Sequence, residues 1–478
     1  MLYCHCDNII PEQTGADMKK SERIVADFIE LVKDGRMEPG DKLPTHRDLA
    51  FEYQCSVGTA SRAYAELERR GYCYGRVGQG TFVYGTPGDD AAVGRGAFFP
   101  EESWKEGASD LTDLSKNSYF HIETEDRLRD AAQRLLRRNE PDAYFFYSDS
   151  RGRPFDREVA ARWLSSLIRY VETDNIILTQ GAQSGLYLTM ATLASPGETV
   201  ATEAFGYPGI RAAAYELDLR IAPIAMDAEG MIPAAFEETC RRGKVRLLIT
   251  VPTNHNPTGA TQPLERREEI IGIARRHGVL IVEDSAYAPL HNRRIPAYYD
   301  LAPDITLYLA TFSKVMSPAL RLGYLIAPEN LVPRLATKMT TINWMTSPII
   351  LDIANFLVQS GQVSAQADLL TEVCLRRERA ARKILGPWLE TPPTPDDSPL
   401  AHLWLRLPEG QEMSDFVSSA RRENIIVVAG DTFAMHKTVA ARHIRLCLMA
   451  EPHEGRVLRA LERLATLLSQ ENSPIMVT

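Results

Sequence analysis

Residues 311–323 read Thr311-Phe312-Ser313-Lys314-Val315-Met316-Ser317-Pro318-Ala319-Leu320-Arg321-Leu322-Gly323. In this stretch Lys314 follows a small hydroxylated residue, and Arg321 comes seven positions after the lysine. A lysine amine can form an imine with a carbonyl compound, and an arginine offers a fixed charge to a phosphate. The stretch therefore predicts an imine-forming amine beside a phosphate site.

Further polar groups follow apolar runs that are typical of strands. Asp284 and Tyr287 come after the run Val279 to Val282, and Asn256-Pro257-Thr258-Gly259 comes after the run Leu247 to Val251. Open α/β sheets hold their ligands at the carboxyl ends of the strands. We therefore expect these side chains to lie near Lys314.

The region that contains these motifs alternates helical and strand patterns. Gly181-Ala182-Gln183-Ser184 follows the apolar run Ile176 to Leu178 and opens a helix, whose free amide groups would face an anion. Helical patterns at Asp156 to Tyr170 and Leu264 to His277 alternate with apolar runs, which predicts a large α/β lobe with a mostly parallel sheet. Strand patterns return at Leu403 to Leu407, Ile425 to Val428 and Ile444 to Leu448, and they predict a smaller α+β lobe.

The N-terminal region has a different pattern, of three short helices and a hairpin. Apolar residues at helical spacing predict a first helix over residues 21–36. Thr45 opens a second helix to about Gln54, and Ser56 is the N-cap of a third helix that reaches Arg70. The segment Tyr72 to Tyr84 has a Gly-rich centre between apolar residues, as in a β-hairpin. Together these elements predict a winged helix-turn-helix.

Three strings in this region carry matched positions: Leu43-Pro44-Thr45-His46-Arg47-Asp48-Leu49-Ala50, Ser56-Val57-Gly58-Thr59-Ala60-Ser61-Arg62 and Gly78-Gln79-Gly80-Thr81-Phe82-Val83. The region resembles the GntR-type winged helix. The resemblance implies that the second helix crosses the DNA backbone, the third lies in the major groove and the wing touches the minor groove. The residues expected at double-stranded DNA are Arg47, Ser56, Thr59, Ser61, Arg62, Gly78 and Gly80.

The net charge of the chain is a weaker indicator of DNA binding than the winged-helix motif. The chain has 478 residues, enough for two or three domains, and a formal charge of −9, which by itself argues against a nucleic-acid binder. Residues 42–84, however, hold six basic and four acidic side chains. The alternative for such a unit is a protein-docking module, because helix-turn-helix shapes also serve that role.

The large region, over roughly residues 113–478, resembles a fold-type I pyridoxal-phosphate enzyme of the aminotransferase kind. With the winged helix in front, the whole chain resembles a MocR/GabR-type regulator. The resemblance implies that Lys314 forms the internal aldimine with pyridoxal 5′-phosphate. It also implies that Asp284 keeps the pyridine nitrogen protonated, and that Asn256 and Tyr287 hydrogen-bond the 3′-oxygen of the ring.

The same resemblance assigns the rest of the site. Tyr207 is the expected ring-stacking aromatic residue, with Phe205 as the competitor. Tyr147 matches a tyrosine that such homodimers lend to the neighbouring subunit, and Arg445 matches the arginine that grips a ligand carboxylate. The phosphate would be held by the amides of Ala182 and Gln183, the hydroxyls of Thr311 and Ser313, and Arg321.

The domain boundaries that follow are a tail at 1–20, the winged helix at 21–84, a linker at 85–112 and the aminotransferase-like domain at 113–478. Two positions depart from the family pattern, since Lys116 and Asn117 stand where a pocket-lining glycine is expected. This difference in the pocket predicts an effector of unusual shape or charge.

Other features of the sequence bear on the cellular compartment and on metal binding. Residues 1–20 lack the apolar core of a signal peptide, and no apolar run reaches the length of a membrane span. Seven irregularly spaced cysteines suit a reducing compartment, so we expect a cytoplasmic protein. Cys4-His5-Cys6 has no second ligand pair at zinc-site spacing, so no metal is expected.

Two functions stay open at this point. In the first, the chain is a regulator that senses an amine or amino acid by aldimine exchange at Lys314. In the second, it is a working aminotransferase in which the released Lys314 is the general base for the 1,3-proton shift. The winged helix favours the regulator, because a metabolic enzyme does not need one, and residual transamination is compatible with it.

Overall fold

The structure is a computed structural model in which the chain divides into two compact units, Met1–Ala97 and Phe98–Thr478. Within the described residues, no helix is both long enough and apolar enough to cross a lipid bilayer. The described residues are 20–34, 36–37, 41–69, 72–76, 80–83, 111–119, 124–137, 144–290, 295–392, 398–400, 402–436, 439 and 441–469.

The first unit is the predicted winged helix. Its helices are α1 (Lys20–Lys33), α2 (His46–Glu52) and α3 (Val57–Arg69), and its hairpin joins β1 (Cys73–Arg76) to β2 (Gly80–Val83) in antiparallel register. A capping box between Thr45 and Asp48 starts α2, which explains why that helix begins one residue after the predicted start. The helices bury a shared core that includes Ile24, Leu49, Ala60 and Leu67.

A seven-stranded sheet forms the centre of the second unit. Its strands, in spatial order, are β4 (Ile176–Thr179), β12 (Gly323–Ile326), β11 (Thr306–Thr311), β10 (Leu280–Asp284), β9 (Val245–Thr250), β5 (Thr199–Glu203) and β6 (Arg220–Ile224). Every strand is parallel to the others except β12, which runs antiparallel between β4 and β11. This confirms the predicted mostly parallel sheet. The second unit also has a small antiparallel hairpin of β7 (Met226–Asp227) and β8 (Gly230–Met231).

Helices pack around this sheet, whose strands β4, β11 and β12 are buried along their whole length. The predicted helix from Leu264 to His277 has those bounds in the structure, whereas the one predicted to reach Tyr170 ends at Leu164. The helices are α4 (Thr124–Leu136), α5 (Pro154–Leu164), α6 (Ala182–Leu193), α7 (Pro208–Glu216), α8 (Pro233–Arg242), α9 (Leu264–His277), α10 (Tyr298–Leu301), α11 (Val332–Ile342) and α12 (Pro348–Gln359).

The smaller lobe has an antiparallel sheet of β13 (His402–Arg406), β16 (His443–Cys447) and β15 (Val428–Ala429). The single strand predicted from Ile425 to Val428 is two strands in the structure. The first, β14 (Ile425–Ile426), pairs in parallel with β3 (Thr112–Asp113), and only the second joins the sheet. The remaining helices are α13 (Gln362–Leu385), α14 (Met413–Arg422) and α15 (Glu454–Ser469).

The pairing of β3 with β14 determines the position of the chain segment that follows β3. It anchors residues 112–113 on the smaller lobe, and the amide of Leu114 continues the pairing by donating to the carbonyl of Ile426 at 2.9 Å. The residues that follow, 115–118, are thereby placed at the carboxyl-terminal edge of the large sheet.

Candidate functional site

A cavity of about 600 Å³ lies at the carboxyl-terminal edge of the parallel strands. It brings together side chains that follow β4, β9, β10 and β11, as the positions of these strands predict. All the residues predicted to bind a cofactor line it except Tyr147. They are Ala182, Gln183, Tyr207, Asn256, Asp284, Tyr287, Thr311, Ser313, Lys314 and Arg321.

Lys314 follows β11 and its amine points into this cavity. Its Nζ atom donates to the backbone carbonyl of Asn117 at 2.5 Å. Burial lowers the pKa of Lys314 to about 8; the positive charges of Arg445 and Arg321 act in the same direction, and Asp284 opposes them. A lysine with this pKa has a substantial neutral fraction near pH 8, and the neutral amine is the nucleophilic form.

Asp284 ends β10 and places a buried carboxylate in the same cavity. Its Oδ1 atom accepts a hydrogen bond from the amide of Ala286 at 3.1 Å. Burial raises the pKa of Asp284 to about 6, while the Ala286 amide and the Lys314 charge lower it. Above that pH the group is a buried anion, which suits a cationic nitrogen on a ligand.

Tyr287 lies one turn beyond Asp284, and its hydroxyl accepts a hydrogen bond from the side-chain amide of Asn117. The ring of His402 packs against the ring of Tyr287 with centroids 5.2 Å apart. The Nε2 atom of His402 lies 2.8 Å from the carbonyl of His255, to which it donates as the Nε2–H tautomer. Burial lowers the pKa of His402 to about 3, so its ring is neutral and supports Tyr287 by packing.

Another part of the cavity wall suits an anion. Helix α6 begins at Ala182, so its first amides lack partners within the helix. Gly181 has a φ of 87°, and a Cβ there would lie 2.8 Å from the Arg321 guanidinium. The hydroxyl of Thr311 lies 3.1 Å from that of Ser313. Amides at a helix N-terminus, hydroxyls and a guanidinium together form a phosphate-binding environment.

Of the two aromatic candidates for ring stacking, Tyr207 lines the cavity. Burial raises the pKa of Tyr207 to about 12, so its hydroxyl is protonated at neutral pH. Phe205 instead packs against Trp404, with centroids 5.5 Å apart, and against His443. The geometry therefore separates the two residues that the sequence left in competition.

Arg445 is placed behind the cavity rather than on its wall. It lies on β16, is 4% exposed, and donates through one guanidinium nitrogen to the carbonyl of Ser115. Another nitrogen is 3.5 Å from the side-chain oxygen of Asn256, which does line the cavity. The Nε atom of Arg445 has no hydrogen-bond partner among the described residues.

Tyr147 lies outside the cavity in this chain. Its side chain is 77% exposed, and its ring packs against Trp344 with centroids 5.0 Å apart. Phe145 and Phe146 beside it are also largely exposed. These three consecutive aromatic residues form an exposed apolar patch on the second unit.

The first unit presents polar residues along α2 and α3. Arg47, Ser61 and Arg62 are exposed. Ser56 caps α3 by accepting from the Thr59 amide at 3.1 Å. In the wing, Gly80 has a φ of 116°, in the region that favours glycine. Gly78 lies outside the described residues, as do Cys4, His5 and Cys6.

Comparison with known families agrees with this organisation. Residues 109–464 match the model of aminotransferase class I and II. The chain belongs to the aminotransferase class I and II family. Residues 20–83 match the bacterial regulatory proteins of the gntR family. An aminotransferase-family domain joined to a GntR domain is the organisation of the MocR/GabR-type regulators that the sequence indicated.

Relatives that match along most of the chain include transcriptional regulators. The HTH-type transcriptional regulator YdeF of Bacillus subtilis is 24% identical, with 88% of each chain covered. The HTH-type transcriptional regulator TauR of Rhodobacter capsulatus is 26% identical, over 84% of this chain and 87% of TauR. An archaeal alanine:glyoxylate aminotransferase has a similar structure, with a TM-score of 0.70 and 26% identity, over 79% of this chain and 94% of the aminotransferase.

This aminotransferase-family cavity also contains residues that the sequence did not assign to a cofactor. Lys116, Asn117 and Ser118 line it from a segment about 200 positions before Lys314. The sequence singled out Lys116 and Asn117 only as departures from an expected glycine. Short-range patterns do not place this segment, because its position depends on the pairing of β3 with β14.

Proposed function

We propose that the chain is a pyridoxal-phosphate-dependent transcriptional regulator that binds double-stranded DNA and senses a primary amine or amino acid at Lys314. The observation that carries the proposal is the arrangement of Lys314, Asp284 and Arg321 around a single cavity. An amine nucleophile, a buried carboxylate and a fixed cation are the three groups that this cofactor requires.

The residues present fit pyridoxal 5′-phosphate. The Asp284 carboxylate is buried, as a partner for a protonated pyridine nitrogen should be. The start of α6 and Arg321 form a cradle that suits the phosphate, and Gly181 leaves there the space that a Cβ would fill. The volume of about 600 Å³ is within the usual range of small-molecule sites.

Each residue has a defined role in this proposal. When bound, the cofactor supplies an aldehyde carbon that the Lys314 amine, or an effector amine in its place, can attack. Asp284 holds a proton on the ring nitrogen, and Tyr287 and Asn256 hydrogen-bond the ring oxygen. Tyr207 stacks on the ring. The phosphate is held by the amides of Ala182 and Gln183, the hydroxyls of Thr311 and Ser313, and Arg321.

Arg445 is proposed to bind the carboxylate of an amino-acid effector. Its guanidinium is buried beside Asn256, and its Nε atom lacks a partner among the described residues. A carboxylate that reached Arg445 would replace the Ser115 carbonyl as the acceptor, and the charge-assisted bond would be the stronger one.

The proposed assembly is a homodimer. Phe145, Phe146 and Tyr147 are between 71% and 77% exposed, and apolar residues of this size on a surface mark an interaction site. Tyr147 would reach the phosphate of the partner's cofactor. Paired winged helices would then read two DNA half-sites through Arg47, Arg62 and the other exposed residues of α2 and α3.

The test compares wild-type protein with Lys314→Ala and with the control Lys244→Ala, an exposed lysine before β9. We expect a visible absorbance band on addition of pyridoxal 5′-phosphate to the wild type and the control, and none with Lys314→Ala. Amines that shift this band should change the affinity for promoter DNA in gel-shift assays at fixed salt.

Two outcomes would contradict the proposal. A Lys314→Ala variant that kept the band would refute the assignment of the lysine. Rapid turnover of amino acids with a keto-acid acceptor, without specific promoter binding, would instead identify the chain as a working aminotransferase.

A further inference from the structure

We propose that Lys116 is a specificity-determining residue that selects effectors with a second anionic group, such as acidic α-amino acids. The inference rests on the proposed function, since it concerns the effector that reaches Lys314. The observation behind it is that residues 116–118 line the cavity although the proposed function gives them no part in binding the cofactor.

Lys116 is held between two residues whose backbone carbonyls accept from the predicted ligand-binding cations. The carbonyl of Ser115 accepts from Arg445, and the carbonyl of Asn117 accepts from the Nζ atom of Lys314 at 2.5 Å. An amino acid that placed its carboxylate at Arg445 and its amine at the Lys314 position would therefore lie along this segment. Lys116, which lines the cavity, would face the rest of that molecule.

Among the described residues that line the cavity, Lys116 is a cation to which the proposed function assigns neither the aldehyde nor the phosphate. Three of the described lining residues are cations, namely Lys116, Lys314 and Arg321. Lys314 is assigned to the aldehyde and Arg321 to the phosphate. Lys116 pairs with the Asp113 carboxylate, but Asp113 is not among the lining residues, so it is the ammonium that this wall presents to a ligand, and it favours a negative group there.

The ammonium of Lys116 is also held in place. Its Nζ atom lies 3.5 Å from Oδ2 of Asp113, and the lysine side chain is 38% exposed. The other oxygen of Asp113 accepts from the amide of Ser115 at 2.9 Å and from its hydroxyl at 2.5 Å. Asp113 belongs to β3 and is fixed by its pairing with β14. The lysine side chain therefore extends into the cavity from a backbone segment that is fixed by strand pairing.

The distal group that fits this arrangement is an anion on a flexible chain. Side chains of aspartate and glutamate provide one, whereas asparagine and glutamine have nearly the same shape without the charge. An ion pair with a partly exposed lysine is modest, so we expect the acid to bind about fivefold more tightly than its amide.

The experiment titrates cofactor-loaded full-length protein with glutamate and with glutamine, and with aspartate and asparagine, and follows the cofactor spectrum. In the wild type we expect the acid of each pair to be preferred about fivefold, and the preference to weaken at high salt. Lys116→Gln should remove the preference while the affinity for the amides stays unchanged, and Lys116→Arg should retain it. The exposed Lys244→Gln is the control for charge loss elsewhere.

The outcomes separate this inference from the function on which it rests. If the amides bind as well as the acids, or if Lys116→Gln leaves the acid-to-amide ratio unchanged, the role of Lys116 is wrong although the protein responds to amines. If no amine or amino acid changes the spectrum of the loaded wild type, the proposed sensing function itself fails. If Lys116→Gln does not fold, it will not bind the cofactor. In that case two other measurements decide the question: the acid-to-amide preference of Lys116→Arg, and the salt dependence of that preference in the wild type.

Discussion

The amine of Lys314 donates to the backbone carbonyl of Asn117 at 2.5 Å, although the two residues are 197 positions apart in the chain. The neighbouring Ser115 carbonyl accepts in the same way from Arg445. One short segment thus satisfies both Lys314, which is proposed to bind the cofactor, and Arg445, which is proposed to bind the carboxylate of an amino acid. Cofactor and effector therefore have to replace these two protein carbonyls with groups of their own.

Cofactor loading should depend on pH through Lys314. The neutral amine is the reactive form, and the lysine pKa is lowered to about 8. The rate of appearance of the visible band in cofactor-free protein should rise about tenfold per pH unit below pH 8 and level off above it. Stopped-flow absorbance at constant ionic strength measures this rate. A rate that kept rising to the pKa of an ordinary lysine would contradict the assigned pKa.

Replacement of Asp284 by Asn should weaken cofactor binding by about ten- to a hundredfold, because a hydrogen bond to a charged group is lost. The pKa of Asp284 is raised to about 6, so wild-type affinity should also fall as the pH drops through that value. Asp284→Asn should show a flatter profile there. Asp304→Asn is a suitable control, because Asp304 pairs with Arg275 on the surface. Equal affinities in equilibrium dialysis would remove Asp284 from the cofactor site.

Arg445→Gln should discriminate between two kinds of effector. An amino acid should lose about ten- to a hundredfold in affinity, whereas the primary amine that lacks its carboxylate should bind nearly unchanged. Spectral titration of the loaded variant with such a matched pair measures the difference. Equal losses for both ligands would mean that Arg445 supports the fold through Ser115 and Asn256 and does not touch the effector.

Replacement of Arg47 or Arg62 by Ala should weaken promoter binding without changing the cofactor spectrum. If either side chain contacts a phosphate, the slope of log affinity against log salt should decrease by about one. Arg23→Ala is the matched control, since Arg23 is exposed on α1, a helix to which no DNA contact is assigned. Fluorescence anisotropy over a range of salt gives the slopes. An unchanged slope and affinity would exclude that arginine from the DNA surface.

The sequence determined the two-part organisation and most of the cavity wall. Asp284 is the last residue of a strand, and Asn256 and Lys314 each follow one. Because parallel strands bring their carboxyl ends to one edge of the sheet, local patterns were sufficient to place these residues together. The winged helix could be predicted equally well from the sequence, because its helix caps, apolar spacing and glycines are local signals.

Tertiary structure decided what no local pattern encodes. Lys116 and Asn117 reach the cavity because β3 pairs with β14, a strand more than 300 positions later in the chain. The same packing buries Arg445 behind Asn256 and engages it with the Ser115 carbonyl. Contacts of this kind depend on long-range strand pairing, whose register is fixed by the assembled core and not by the residues next to the site.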